Sequence, residues 1–306
     1  MTAYLSHADC LLHEMGPDHP ECPARLSAIE DALHKAGLYD LLHHHEAPLA
    51  TEEQLKRAHD ADYVEALIAA APRSGHVYLD GDTSMNPHSL QAALRAAGAL
   101  VRAVDLVMSG RESTAFCNVR PPGHHAERRQ AMGFCLFNNV AVGATHALHH
   151  HRLDRVAIVD FDVHHGNGTE DIFDMEPRVM LCSSFQYPFY PGKAGPSVDG
   201  HRINVPLPAG TSGREYRHAV SAAWFPQLER FQPELILISA GFDAHHDDPL
   251  ASLNLLEQDY DWITREIMTI AGRHAQGRVV STLEGGYALR ALGRSAAAHV
   301  RALMKL

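Results

Sequence analysis

Short apolar runs, separated by helix-length segments, restrict this chain more than any other feature. Arg155-Val-Ala-Ile-Val-Asp160 and Leu235-Ile-Leu-Ile-Ser239 are the clearest: apolar at consecutive positions and rich in β-branched residues. A strand with one face in water alternates polar and apolar; a strand covered on both faces does not. Thr114–Val119, Val179–Cys182, Arg202–Leu207 and Arg278–Leu283 read as further strands. Around them lie helical segments at Pro23–Ala36, Pro87–Met108, Asn139–His150, Gly213–Phe231 (with a kink expected at Pro226), Asp259–Ala275 and Leu289–Met304. This alternation builds a mostly parallel central sheet with helices on both faces, a three-layer α/β/α architecture. In such sheets, sites form beyond the carboxyl ends of the strands.

No repeat, low-complexity linker or charge block divides the 306 residues, so a single domain over 1–306 is expected. With 45% hydrophobic and 21% charged residues, wholesale disorder is excluded. No apolar run reaches the roughly 18 residues of a membrane helix, and Met1-Thr-Ala-Tyr-Leu-Ser-His7 has no basic start of a secretory signal. The net charge of -11 argues against non-specific nucleic-acid binding and is compatible with a cationic substrate. The five cysteines, 10, 22, 117, 135 and 182, are odd in number and no pair has CxxC spacing, which points to a reducing cytoplasm rather than a disulfide framework. The unusual count is 24 histidines. His43–His45 and His149–His151 read as solvated surface.

Other histidines stand with carboxylates and glycines just after predicted strands. After 155–160 comes Asp160-Phe-Asp162-Val-His164-His165-Gly166-Asn167-Gly168. If the strand persists, Asp160, Asp162 and His164 share one face, and a carboxylate with a neutral imidazole suits a divalent metal. The alternative is a buried ion pair with a glycine turn. After 235–239 comes Gly241-Phe-Asp243-Ala-His245-His246-Asp247-Asp248-Pro-Leu250. Asp243 could be a third ligand, leaving an open position, or a turn carboxylate; His245 to Asp248 read as solvated loop. The segment Arg120-Pro-Pro-Gly-His124-His125 fixes two imidazoles on a rigid loop, where they can divide acid–base work. In Leu283-Glu-Gly-Gly-Tyr287, a tyrosine hydroxyl could donate to an oxyanion.

Together these blocks resemble the histone deacetylase family, in particular its class II-like bacterial amidohydrolases, which share the arginase/deacetylase-like fold. The resemblance is carried by RPPGHHA (120–126), GFCLFNN (133–139), VDFDVHHGNGT (159–169), SAGFDA (239–244), DPL (248–250) and LEGGY (283–287). An N-terminal match at His19-Pro-Glu-Cys-Pro-Ala-Arg-Leu26 extends it. It implies one Zn2+ per chain on Asp162, His164 and Asp243, with His124 and His125 as the tandem histidines, Asp160 orienting the first and Tyr287 as catalytic tyrosine. Phe134, Gly133 and Tyr190 would line the substrate channel, with Leu250 and Asp82 at its rim. A monovalent cation such as K+ would sit by Asp160, Asp162, His164 and Ser183-Ser184. The implied reaction is zinc-dependent hydrolysis of an N-acyl amine, most simply an acetyl amide such as acetyl-lysine: metal-activated water attacks and His125 shuttles the proton. Acetylpolyamines or other small acylated amines are the alternative substrates. Neither nucleic acid nor membrane is an expected partner, and homo-oligomerisation is left open.

Two departures matter. Asn167 stands where class I enzymes carry a second orienting Asp, so His125 should stay neutral more readily. Leu181-Cys-Ser-Ser-Phe-Gln186 lacks the more usual Ser-Leu-His. A binuclear manganese ureohydrolase would need carboxylates at two positions that are Gly166 and His245 here. A non-catalytic binding module would be expected to have lost a ligand or the tyrosine.

Overall fold

A computed structural model describes residues 1–306. Ten strands form: β1 (Thr2–Ser6), β2 (His43–Glu46), β3 (Val77–Tyr78), β4 (Ser84–Met85), β5 (Thr114–Cys117), β6 (Val156–Asp160), β7 (Val179–Gln186), β8 (Arg202–Leu207), β9 (Leu235–Ala240) and β10 (Val279–Leu283). Ten α-helices accompany them: α1 (Ala24–Lys35), α2 (Glu52–Leu55), α3 (Ala61–Ala69), α4 (Ser89–Met108), α5 (Asn139–His150), α6 (Asn167–Phe173), α7 (Gly213–Ala223), α8 (Phe225–Phe231), α9 (Glu257–His274) and α10 (Leu289–Leu303).

Eight strands form one sheet in the order β2-β1-β5-β10-β9-β6-β7-β8, and every pairing in it is parallel. Strands β5, β6, β9 and β10 are buried at every position, as their unbroken apolar runs require. Helices α4 and α5 pack together against the sheet, while α1, α10 and α9 pack in a row. The core is one continuous cluster that includes Leu5, Phe116, Ile158, Leu237 and Val280.

Three readings of the sequence change. The strand at 179 runs on to Gln186, because β8 pairs with its polar end through Phe185–Pro206 and Gln186–Leu207. The segment 213–231 is two helices rather than one kinked helix; Trp224 separates them and Pro226 sits in the first turn of α8, where a missing N–H costs nothing. His43–His45 is not loose surface but edge strand β2, paired with β1. Its alternating exposure is that of an edge, and Glu112 receives His43 Nδ1 at 2.7 Å. Strand β1 itself, buried with Tyr4 in the core, carries too short an apolar run to stand out.

Candidate active site

The carboxyl ends of β5, β6, β9 and β10, four adjacent strands, deliver the chemistry-bearing loops to one place. Strand β6 ends at Asp160, so alternation along a strand does not align Asp162 with His164. Two successive Asx-type turns do so instead. Asp160 Oδ1 accepts from the Asp162 N–H at 3.1 Å, and Asp162 Oδ1 from the His164 N–H at 2.9 Å. Asp162 Oδ2 accepts from the Gly285 N–H at 2.8 Å, and Asp243 Oδ1 from the Val163 N–H at 3.0 Å. Asp160 and Asp243 thus each have one oxygen fixed by backbone and Asp162 has both, and β9 and β10 help hold the ligands presented after β6.

The remaining donors converge. His164 Nδ1 lies 3.0 Å from Asp162 Oδ1 and 3.2 Å from Asp243 Oδ2. Both aspartates are buried, yet Asp243 Oδ2 has no hydrogen-bond partner. Two buried carboxylates facing one imidazole leave negative charge unmatched, which is costly unless a cation completes the set. A Cβ on Gly285 would fall onto the Asp162 and Asp243 carboxylates, so the bare backbone there lets them approach. Asp162, His164 and Asp243 fit a divalent metal held by three protein ligands, the pattern of an open catalytic site.

The tandem histidines flank this cluster with their rings 4.0 Å apart. His124 Nδ1 bonds Asp160 Oδ2 at 2.9 Å. Burial disfavours charge on His124, but the carboxylates of Asp160 and Asp162 outweigh it and hold its pKa well above the ordinary imidazole value. His125 Nδ1 donates to Asn167 Oδ1 at 2.7 Å, an orientation of the amide set by its Nδ2 donating to Glu127 Oε1 at 2.7 Å. Burial, with repulsion from His124 and His164, holds the His125 pKa well below the ordinary value.

A cavity of about 80 Å³ opens above these groups, lined by Asp82, His125, Gly133, Phe134, His164, Tyr190, Leu250 and Tyr287. All five residues expected at the channel lie on it. Gly133 and Phe134 both adopt left-handed backbone, at φ 55° and 69°. A Cβ on Gly133 would meet the His125 ring. Strain in a non-glycine residue such as Phe134 persists only where the surroundings impose it; here the Phe134 N–H donates to Thr83 Oγ1 at 2.9 Å. The Phe134 ring stands 6.0 Å from that of Tyr287, edge to face, and Tyr190 meets the His125 ring edge-on at 5.1 Å.

Several supports were invisible in the sequence or misread. Asp248, expected in solvated loop, is buried and accepts from the N–H groups of Tyr287 (2.7 Å), Ala288 (3.1 Å) and Leu250 (3.0 Å). Burial pushes its pKa up to about 6. His245 is buried as well, whereas His246 and Asp247 are exposed as expected. Glu284, fully buried, accepts from the N–H groups of Gly123 (2.7 Å) and His124 (3.1 Å) and from Ser239 Oγ (3.1 Å), so it fixes the loop that carries the tandem histidines. Arg25 donates to the carbonyls of Gly286 and Glu284 and lies 5.0 Å from the Tyr287 ring centre; Glu21 bridges it to Arg120. The available signal was an Arg and a Glu inside the His19–Leu26 block, where no surface role explains them.

The chain matches the histone deacetylase domain over residues 19–303. It is 42% identical to an uncharacterized protein of Synechocystis sp. over 99% of this chain and 100% of that one. It is 36% identical to the histone deacetylase-like amidohydrolase of Pseudomonas aeruginosa, over 94% of this chain and 81% of the relative. The crystal structure of the HDA15 HD domain superposes with a TM-score of 0.93 at 35% identity, covering 99% of this chain and 88% of that one. A domain match of that extent, on a fold that superposes end to end, has one meaning: the chain belongs to the histone deacetylase family.

Proposed function

We propose that this member of a deacetylase and amidohydrolase family is a zinc-dependent enzyme that removes an acyl group, most simply acetyl, from an N-acylated amine such as acetyl-lysine. The observation that carries the reading is the convergence of Asp162, His164 and Asp243 beside His125 at the base of a narrow, partly aromatic cavity. Asp162, His164 and Asp243 would hold the metal. When bound there, Zn2+ supplies Lewis-acid polarisation of the acyl oxygen and lowers the pKa of water.

The rest of the chemistry belongs to side chains. His125 donates its Nδ1 proton to Asn167, so Nε2 carries the lone pair and can take the proton of the attacking water. The same nitrogen then protonates the leaving amine. His124, tied to Asp160, keeps positive charge beside the reacting centre and lowers the proton affinity of its neighbour. Tyr287, on a loop pinned by Asp248 and Arg25, donates its hydroxyl to the oxyanion as the carbonyl becomes tetrahedral. Phe134 and Tyr190 accept an alkyl stem and leave little room for a bulky one. A monovalent cation near Asp160 would also engage Ser183, its neighbour across β6 and β7, whose buried hydroxyl has no partner.

Chelation should abolish hydrolysis of an acetyl-lysine peptide, and Zn2+ should restore it. Asp243→Ala should lose both the active-site zinc and turnover. A variant that keeps near-normal zinc content and rate would remove Asp243 from the ligand set and overturn this reading of the centre.

A further inference from the structure

At the far end of α5, His149 and His150 are exposed as their sequence suggests, but His150 and His151 form a cluster with the buried His146. His146 and His150 stand one turn apart, their rings stacked at 4.9 Å with 11° between planes. His151, which caps the helix, meets both rings edge-on at 5.5 and 4.9 Å. Helix α4 brings Asp105 to them: its Oδ1 lies 2.8 Å from His146 Nε2 and 2.8 Å from His151 Nε2. Ligand atoms of all four residues lie within 4.8 Å of one another. Hydrogen bonds within the group do not satisfy it, because His146 is buried and its Nδ1 has no partner.

We propose that Asp105, His146, His150 and His151 form a second metal site, for a borderline dication of the Zn2+ class, that clips the C-terminal end of α5 to α4. Three imidazoles and one carboxylate exclude the hard cations, which take oxygen sets, and lack the thiolates that select Cu(I). Histidines at i and i+4 on one helix face form a ready chelate. Four protein donors close the coordination shell, which marks a structural site rather than a catalytic one. The site is separate from the active site. Helix α5 starts just after the Gly133 loop and spans 12 residues, about 18 Å, before the chain turns into the start of β6.

The test uses the zinc-loaded protein, given excess Zn2+, desalted and assayed for metal content, with the visible absorption of a Co2+-loaded sample as a second readout. Wild type should retain one equivalent more than His150→Ala or His151→Ala, and Zn2+ should raise the Tm of wild type by more than that of these variants, which keep only the active-site ion. Deacetylation by His150→Ala should be unchanged. Asp243→Ala should keep the extra equivalent, which separates this site from the active-site metal. His149→Ala, one residue away on the exposed side, should keep it too. Equal metal content in wild type and His150→Ala would overturn the proposal. So would the same loss in His149→Ala, which would mean unspecific binding to a histidine tract. His150 is exposed, so its replacement leaves the fold intact and the comparison stays decisive.

Discussion

The two sides of the active-site cavity meet at adjacent histidines and differ in charge. One side holds Asp160, Asp162, Asp243, His124 and His164, a buried cluster tied together by backbone N–H groups. The other holds His125, Asn167, Phe134 and Tyr190, where the partners of His125 are an amide and a ring edge. A carboxylate about 4 Å from an imidazolium, at an effective dielectric of about 20, is worth about 4 kcal/mol, or about three pKa units. A neutral amide hydrogen bond contributes about 1 kcal/mol. The first outweighs burial and the second does not, so two neighbouring histidines of equal burial titrate in opposite directions. The hydrogen-bond partners that distinguish them lie 36 and 42 positions away, not in the tandem itself.

The most direct way to break this comparison is to delete each histidine. His125→Ala should cost on the order of 10²–10⁴ in turnover, the usual worth of general acid–base catalysis. His124→Ala should cost less if the metal content is kept. Equal or reversed losses, read from kcat in variants that retain their zinc, would assign the proton transfer to the wrong side. Tyr287→Phe keeps the ring, its packing on Phe134 and its contact with Arg25, and so should fold normally. It should lose on the order of 10²–10³ in kcat, as for other single oxyanion donors. A near-normal rate would mean that another group holds the oxyanion.

Exchanging the amide for a carboxylate should make the two sides alike. With Asn167, the pKa of His125 lies below the ordinary value of about 6.5, so the acid limb of kcat/KM should lie below that pH. As pH falls through this pKa, the base becomes protonated and activity is lost. Asn167→Asp stabilises the imidazolium and should move the acid limb up by about one unit or more, with little change above it. A profile unmoved by the substitution would show that the limb reports some group other than His125.

The contrast also explains how far the site could be read in advance. The candidate metal ligands, the tandem histidines and the tyrosine sit in short local blocks, and the strand-end rule places them: Asp162, His164, Asp243, His124, His125 and Tyr287 all follow buried strands. The all-parallel sheet follows from the same apolar runs. Supports at long sequence separation were not legible. Glu284 reaches back 161 and 160 residues to the amides of Gly123 and His124, and Arg25 reaches forward 261 to Gly286. Asp248 looks like loop polarity until its acceptors are seen pinning Tyr287. The histidine tracts failed for a related reason. Composition marks them as solvated, while pairing with β1 for His43–His45, and with Asp105 for His146 and His151, is decided by elements distant in sequence.

The smallest expected effect lies at the rim, where the charged character of the centre gives way to a mixed border. The family resemblance implies that polyamine-specialised members often carry an acidic residue after the Asp-Pro of the third-ligand loop, where it can pair with a remote ammonium; here that residue is Leu250, on the cavity. The structure narrows what could replace it. Asp248 is spent on three backbone N–H groups, and Asp247 pairs with Arg294 at 3.3 Å. Asp82 alone of the three lines the cavity, and it is exposed, where an ion pair is worth about 0.2–1 kcal/mol, no more than about fivefold. Acetyl-lysine peptides should therefore give the higher kcat/KM, with N8-acetylspermidine behind. Leu250→Glu should raise kcat/KM for the polyamine by about two- to fivefold and leave the peptide unchanged, because only the polyamine carries the second cation. The net charge of -11 attracts any polycation at long range, so the comparison belongs at high salt, where that attraction is screened. A wild-type preference for N8-acetylspermidine that survives high salt would show that Asp82, rather than the absence of charge at Leu250, sets the substrate; Asp82→Asn would then abolish the preference.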